Sequence, residues 1–148
     1  MDMSGRVYTK YSISCLMSLM VFGGMMGASA NSHDSAEAFI KLLSGNLRFN
    51  SGRSTHSNIS AERRKEVTSG GQHPFATIIA CSDSRVPVEV LFDQGVGDIF
   101  VIKVAGNVCN TDEIGSIEYG VDHLGTPIMV VLGHTNCGAC TAVATGAD

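Results

Sequence analysis

Tryptophan is absent from this 148-residue chain, prolines number three, and Lys+Arg reach 10 against 14 Asp+Glu, for a net charge of −4. The shortage of positive charge excludes the broad electropositive surface on which sequence-independent nucleic-acid binding depends. Charged residues make up only 16% of the chain and hydrophobic ones 44%, gathered in long runs, a composition that excludes intrinsic disorder. Internal repeats and low-complexity tracts are also missing. What is left suits one small globular domain.

The residues that are present are unevenly spread: six of the seven Met lie within the first 26 positions. Arg6 and Lys10 form a positive n-region, Ile13 to Met26 an apolar run, and Ala28-Ser29-Ala30 a small-x-small cleavage site. Residues 1–30 therefore read as a secretory signal peptide cut after Ala30, and the protein as exported, periplasmic or secreted. Gly23, Gly24 and Gly27 dilute a run already shorter than the roughly 20 strongly apolar residues of a spanning helix, which argues against a stable membrane anchor. Cys15 sits inside the run rather than at its end, so it is not a lipid-attachment site. Cleavage would remove Asp2, Arg6 and Lys10, shift the net charge to −5, and leave four of the five cysteines in a domain spanning 31–148.

Within that domain Ala36, Phe39, Ile40, Leu43 and Leu47 recur at helical spacing and predict one amphipathic helix over 34–49, capped by Asp34 or Ser35 and weakened at Gly45. A polar stretch over 50–60 reads as a loop. The charged segment 61–68 reads as a short solvated helix whose Arg63-Arg64-Lys65 run is a charged face. Three near-continuous apolar runs follow, 75–80, 99–105 and 128–132, with the pattern of parallel strands buried on both faces. Helical segments over 88–93 and 111–124 separate them. The expected fold is α/β: a central, mainly parallel sheet flanked by helices, with an N-terminal amphipathic helix.

In such sheets functional groups collect at the carboxyl ends of strands. The first run leads into Cys81-Ser82-Asp83-Ser84-Arg85 and the third into Gly133-His134-Thr135-Asn136-Cys137-Gly138. Cys81, His134 and Cys137 would supply two thiolates and an imidazole, a Zn²⁺ donor set that leaves a fourth position open, as catalytic rather than structural zinc sites do. Alone, His-x-x-Cys is a weak signal; joined to Cys-x-Asp-x-Arg it is much stronger. Asp83 and Arg85, two residues apart in one turn, can pair and leave the carboxylate ionised beside the metal. A purely structural ion pair is the bland alternative, and two adjacent prospective ligands count against it.

These segments, with Phe92-Asp93-Gln94-Gly95, Gly97-Asp98-Ile99-Phe100-Val101, Val104-Ala105-Gly106-Asn107 and Ser116-Ile117-Glu118-Tyr119, resemble the β-class carbonic anhydrases over about residues 36–146. The resemblance implies zinc-dependent, reversible hydration of carbon dioxide to bicarbonate and a proton, by attack of zinc-bound hydroxide. It places Cys81, His134 and Cys137 as the zinc ligands and Asp83 with Arg85 as the catalytic dyad. Asp83 becomes a fourth ligand only in closed members of the family, and Gln94 lies near a substrate-binding Gln. A homodimer or higher homo-oligomer is implied as well. None of His33, His56, His73 and His123 is assigned as a proton shuttle.

Three departures shape the expectations. Lys103 stands where many relatives carry Arg, keeping the charge but losing bidentate geometry. Cys140 completes a Cys137-Gly138-Ala139-Cys140 motif, so a thiol redox protein is a competing reading; Cys81 and His134 discriminate, since a redox pair needs neither. Oxidation of Cys137 with Cys140 would remove a zinc ligand. Family members continue with further helices and another strand, so the C-terminal part of the fold is expected to be missing, and a truncated, non-catalytic zinc-binding remnant is the second alternative. The same ligands also serve relatives that hydrolyse carbonyl sulfide or carbon disulfide. Cys109 has no assigned role.

Overall fold

A computed structural model describes residues 9–13, 17–22 and 32–146 of the chain. Strands β1 (Thr9–Ile13) and β2 (Met17–Phe22) form an antiparallel hairpin, followed by α1 (Ser32–Asn50) and α2 (Ala61–Gly70). Then come β3 (Ala76–Cys81), α3 (Val88–Leu91) and β4 (Ile99–Val104). Helix α4 (Thr111–Glu118), extended by a wider π-type turn over Tyr119–His123, leads to β5 (Met129–Leu132) and α5 (Gly138–Thr145). The cleavage site at Ala28-Ser29-Ala30 lies outside the described residues, while part of the segment read as a signal supplies the backbone of β1 and β2. Among the described residues no helix is long and apolar enough to cross a membrane.

The sheet runs β1-β2-β5-β3-β4. The three domain strands are parallel, with Ile78 opposite both Val101 and Val130, and β2 lies antiparallel on the outer side of β5. The chain leaves β3 for β4 on one side and returns to β5 on the other. That change of direction opens a crevice at the carboxyl ends of β3 and β5, where an open α/β sheet binds its ligands.

Burial on both faces, expected of all three runs, holds in full only for β3, every residue of which is buried. β4 is an edge strand and mostly half-exposed, and β5 alternates between half-buried and buried. The difference between β3 and β4 is positional: β4 pairs only with β3 at the edge of the sheet, whereas β3 lies between β4 and β5. The one polar side chain of β3, Thr77, is satisfied by Thr126 Oγ1 at 2.7 Å, which in turn bonds the Gly120 carbonyl at 3.0 Å.

Helix α1 corrects a second expectation. Only part of the apolar stripe picked out by periodicity faces the core: Phe39 packs against it and Leu43 is half-buried, but Ile40 and Leu47 are 60% and 68% exposed, and Ala36 is exposed too. The inward face is Ala38, Leu42 and Asn46, together with Gly45. A Cβ on Gly45 would overlap the Phe92 carbonyl, and the neighbouring Asn46 Nδ2 donates to Leu91 O at 3.1 Å. Gly45 is thus the point of closest approach of α1 to the chain leaving α3, not a weak spot in a helix. The close approach, with Leu42 against the cluster of Val88, Leu91 and Phe92, sets the helix's rotation. Gly45→Ala is expected to force α1 outward and lower stability by about 1–3 kcal/mol, read as a shifted urea midpoint.

Candidate metal centre

Both donor loops leave the sheet at the same edge. Cys81 is the last residue of β3, one position later than the predicted strand end, and its side chain is buried. β5 ends at Leu132; Gly133 and His134 follow, and Cys137 caps the N-terminus of α5. The ligand atoms of Cys81, His134 and Cys137 all lie within 4.8 Å of one another, and the two sulfurs are 3.8 Å apart. Two sulfurs each about 2.3 Å from a tetrahedral zinc would stand about 3.8 Å apart. These three residues come from positions up to 56 apart, and the fold places them as a group, as their positions after two parallel strands predict.

His134 provides an independent sign of a ligand. Its side chain is only 5% exposed, and its Nε2 is buried without a hydrogen-bond partner. Its Nδ1 lies 3.0 Å from Thr135 O, so the ring donates there and turns the Nε2 lone pair toward the two sulfurs. An unsatisfied, buried imidazole nitrogen facing two thiols fits a borderline-soft cation such as Zn²⁺.

The backbone is arranged to receive thiolates. Gly106, at φ +71°, points its N–H at Cys81 Sγ, 3.3 Å away. The Cys137 thiol is drawn below its ordinary range chiefly by the Cys140 N–H, and also by the Cys140 thiol, Cys81 and the Ala139 N–H, against the opposing effect of burial. These amides are the free donors of the first turn of α5. Sequence reasoning gave no role to Gly106 or Thr135; the only hint was Gly106 within the Val104-Ala105-Gly106-Asn107 segment.

Asp83 and Arg85 form the pair their spacing predicts. Arg85 Nε and Nη2 donate to the two carboxylate oxygens at 2.9 and 2.7 Å, and the Arg85 N–H adds a third bond at 2.9 Å. Hydrogen bonding from the Arg85 side chain, followed by its backbone, holds the Asp83 carboxyl well below the usual carboxylate range. Arg85 Nη2 also reaches Asn136 O at 3.1 Å, tying the two donor loops together. Asp83 Oδ2 lies 3.8 Å from His134 Nε2, beside the cluster. Gln94 is engaged elsewhere: its Nε2 donates to Phe92 O at 2.8 Å and lies against Gly45. Lys103 Nζ bonds Val86 O at 2.7 Å, anchoring the far end of the Asp83 loop.

Comparison with known proteins bears on the same residues. A family profile described as carbonic anhydrase matches residues 76–148. A carbonic anhydrase of Mycolicibacterium smegmatis is 46% identical over 111 residues, covering 75% of this chain and 53% of the relative. Carbonic anhydrase 2 of Mycobacterium tuberculosis is 48% identical over 105 residues, 71% of this chain and 50% of that protein. The solved structure of the β-carbonic anhydrase CcaA superimposes with a TM-score of 0.50 at 31% identity, covering 72% of this chain and 53% of that one. The chain thus spans about half the length of the curated relatives it matches. The family match begins at β3 and runs through both donor loops, and the chain belongs to the β-carbonic anhydrase family.

Proposed function

We propose that this chain carries out the reversible hydration of carbon dioxide to bicarbonate and a proton, with zinc held by Cys81, His134 and Cys137. The observation that carries this reading is the buried, unpartnered His134 Nε2 facing two sulfurs 3.8 Å apart. When bound, zinc supplies the Lewis acidity that makes water a nucleophile at neutral pH. Everything else is the work of this chain's own groups. Thr135 O fixes the His134 tautomer, while the Gly106 N–H and the first amides of α5 stabilise the thiolates.

Asp83 is held ionised by Arg85, and a carboxylate so firmly stabilised is a weak base. Its role in this reading is therefore to accept a hydrogen bond and orient the nucleophile rather than to keep its proton. Arg85 acts as a positioning residue, engaging both Asp83 oxygens, so that the carboxylate stands beside the three-donor cluster rather than as a member of it. That arrangement favours the open form of the site over the one in which Asp83 is a ligand. A homo-oligomer belongs to the same proposal, supported by the outward Ile40 and Leu47 of α1. Export with loss of residues 1–30 does too, and rests on the n-region, the apolar run and Ala28-Ser29-Ala30.

The test pairs metal content with stopped-flow hydration. Asp83→Asn is expected to keep the wild-type zinc stoichiometry and lose hydration by about 10–100-fold, the usual cost of removing a group that orients a metal site. Unchanged hydration would remove Asp83 from the mechanism, and a wild-type chain that takes up no zinc would remove the function.

A further inference from the structure

Four cysteines of the described residues are free: Cys81 and Cys137 are buried, while Cys109 and Cys140 are exposed. Three of the four sulfurs gather in one place. Cys140 Sγ lies 3.7 Å from the position a Cβ would take on Gly106, the residue whose N–H touches Cys81 Sγ. Cys137 is the N-cap of α5 and Cys140 stands three residues on, in its first turn. This placement puts two cysteines on one face of a helix start, where they can be joined without unwinding it. Cys140 nonetheless lies outside the group of three donor atoms that could hold a metal.

We infer that Cys140 is a redox latch on the metal centre: oxidation by a small disulfide joins it to Cys137 and takes that ligand away from the metal. The inference rests on the zinc reading above. The oxidant is a low-molecular-weight disulfide, R–S–S–R. The exposed Cys140 sulfur attacks it, forming a protein mixed disulfide and releasing one R–SH. The Cys137 sulfur then attacks Cys140 Sγ, the mixed disulfide breaks, and the second R–SH leaves. The protein gives up two electrons and the small disulfide takes them; one hydrogen of the two R–SH comes from the Cys140 thiol and, because Cys137 is a thiolate while it holds the metal, the other from solvent, and a Cys137–Cys140 bond remains. Cys81 and His134 are then the only ligands left of the three, too few for a stable zinc site.

Exposure singles out Cys140 from the alternatives. A Cys81–Cys137 bond would also empty the site, and these sulfurs are 3.8 Å apart, but both belong to buried residues, so neither offers a small disulfide the first point of attack. Among the described cysteines, Cys140 combines access to solvent with a place in the first turn of the helix that Cys137 caps. Reduction of the bond restores the third donor, so the loss is reversible.

The test uses the full chain, zinc-loaded under reducing conditions and then exposed to oxidised glutathione, with released zinc followed by a chromogenic chelator and crosslinks by peptide mapping. The wild type is expected to lose its zinc with formation of a Cys137–Cys140 link and to regain it after dithiothreitol and zinc. Cys140→Ser should bind zinc to the same stoichiometry and release it at least about ten-fold more slowly; Cys109→Ser should behave as wild type. Equal release rates for wild type and Cys140→Ser, or a map showing only a Cys81–Cys137 link, would overturn the latch while leaving the zinc site intact. A wild-type chain that binds no zinc overturns the metal reading, and the latch with it.

Discussion

Cys81→Ser is expected to abolish stoichiometric zinc binding and to lower carbon dioxide hydration on the order of 10³-fold or more. A serine hydroxyl is a poor ligand at neutral pH, so the set falls from three protein donors to two, and loss of a ligand exceeds the 10–100-fold cost of disturbing a supporting residue. The substitution also replaces the sulfur that accepts the Gly106 N–H at 3.3 Å by a hydroxyl oxygen, an acceptor as well, so the hydrogen bond at the turn after β4 can persist while the metal ligand is lost. Because binding of a metal to the native state alone adds to its stability, the wild type should unfold at a higher temperature with zinc than after chelation, and Cys81→Ser should show no such difference. Metal content, thermal unfolding with and without chelator, and hydration would be measured on the same preparations. Full activity with metal retained in Cys81→Ser would place the site elsewhere.

That substitution tests what is most legible in the sequence. Cys81 and the His134/Cys137 pair read as one group because each follows an apolar run, and parallel strands put their carboxyl ends at one edge. The Asp83–Arg85 pair is legible for a similar reason: two residues apart in one turn, they have only a short distance to close. What the sequence does not disclose depends on backbone geometry. Gly106 contributes an N–H, which every residue but proline has, and only its left-handed conformation aims that N–H at Cys81. Thr135 and Asn136 contribute carbonyls, equally silent in a sequence. In α1 periodicity places Phe39 on the inward side but also Ile40 and Leu47, which point outward, because it counts hydrophobic area and cannot see that Gly45 permits a backbone approach a larger side chain would block. Ile40 and Leu47 are left largely exposed, which is why they enter the proposed function as a surface for association.

Asp93 offers the second large effect, and none of it is visible in the motif that contains it. Its side chain is fully buried, pairs with Arg48 at the end of α1, and accepts from the Thr55 and His56 N–H groups at 3.0 Å and from Thr55 Oγ1 at 3.0 Å. One carboxylate thus fastens α1 and the loop after it to the turn after α3. Burial by itself would push the Asp93 carboxyl up, but the Thr55 N–H, Arg48 and the remaining donors outweigh it and hold the group well below the usual carboxylate range. A group whose folded pKa is depressed contributes its full stability above the unfolded value, about 3.9 for Asp, and loses it as pH falls toward the folded value. Asp93→Asn keeps the shape, removes the charge, and replaces an acceptor oxygen with a donor facing other donors. It is expected to cost about 3 kcal/mol at pH 7, in the range for breaking a buried pair. The gap between variant and wild type should narrow below about pH 4, where the carboxyl of the unfolded wild type takes up its proton while the folded one stays ionised, so that the wild type loses the stability its charge contributes. Urea unfolding of both proteins in the same metal state, at pH 7 and at the lowest pH where the wild type still folds, measures this directly. A gap of equal size at both pH values would mean that the charge of Asp93 contributes nothing, and that its hydrogen-bonding shape alone holds the loop.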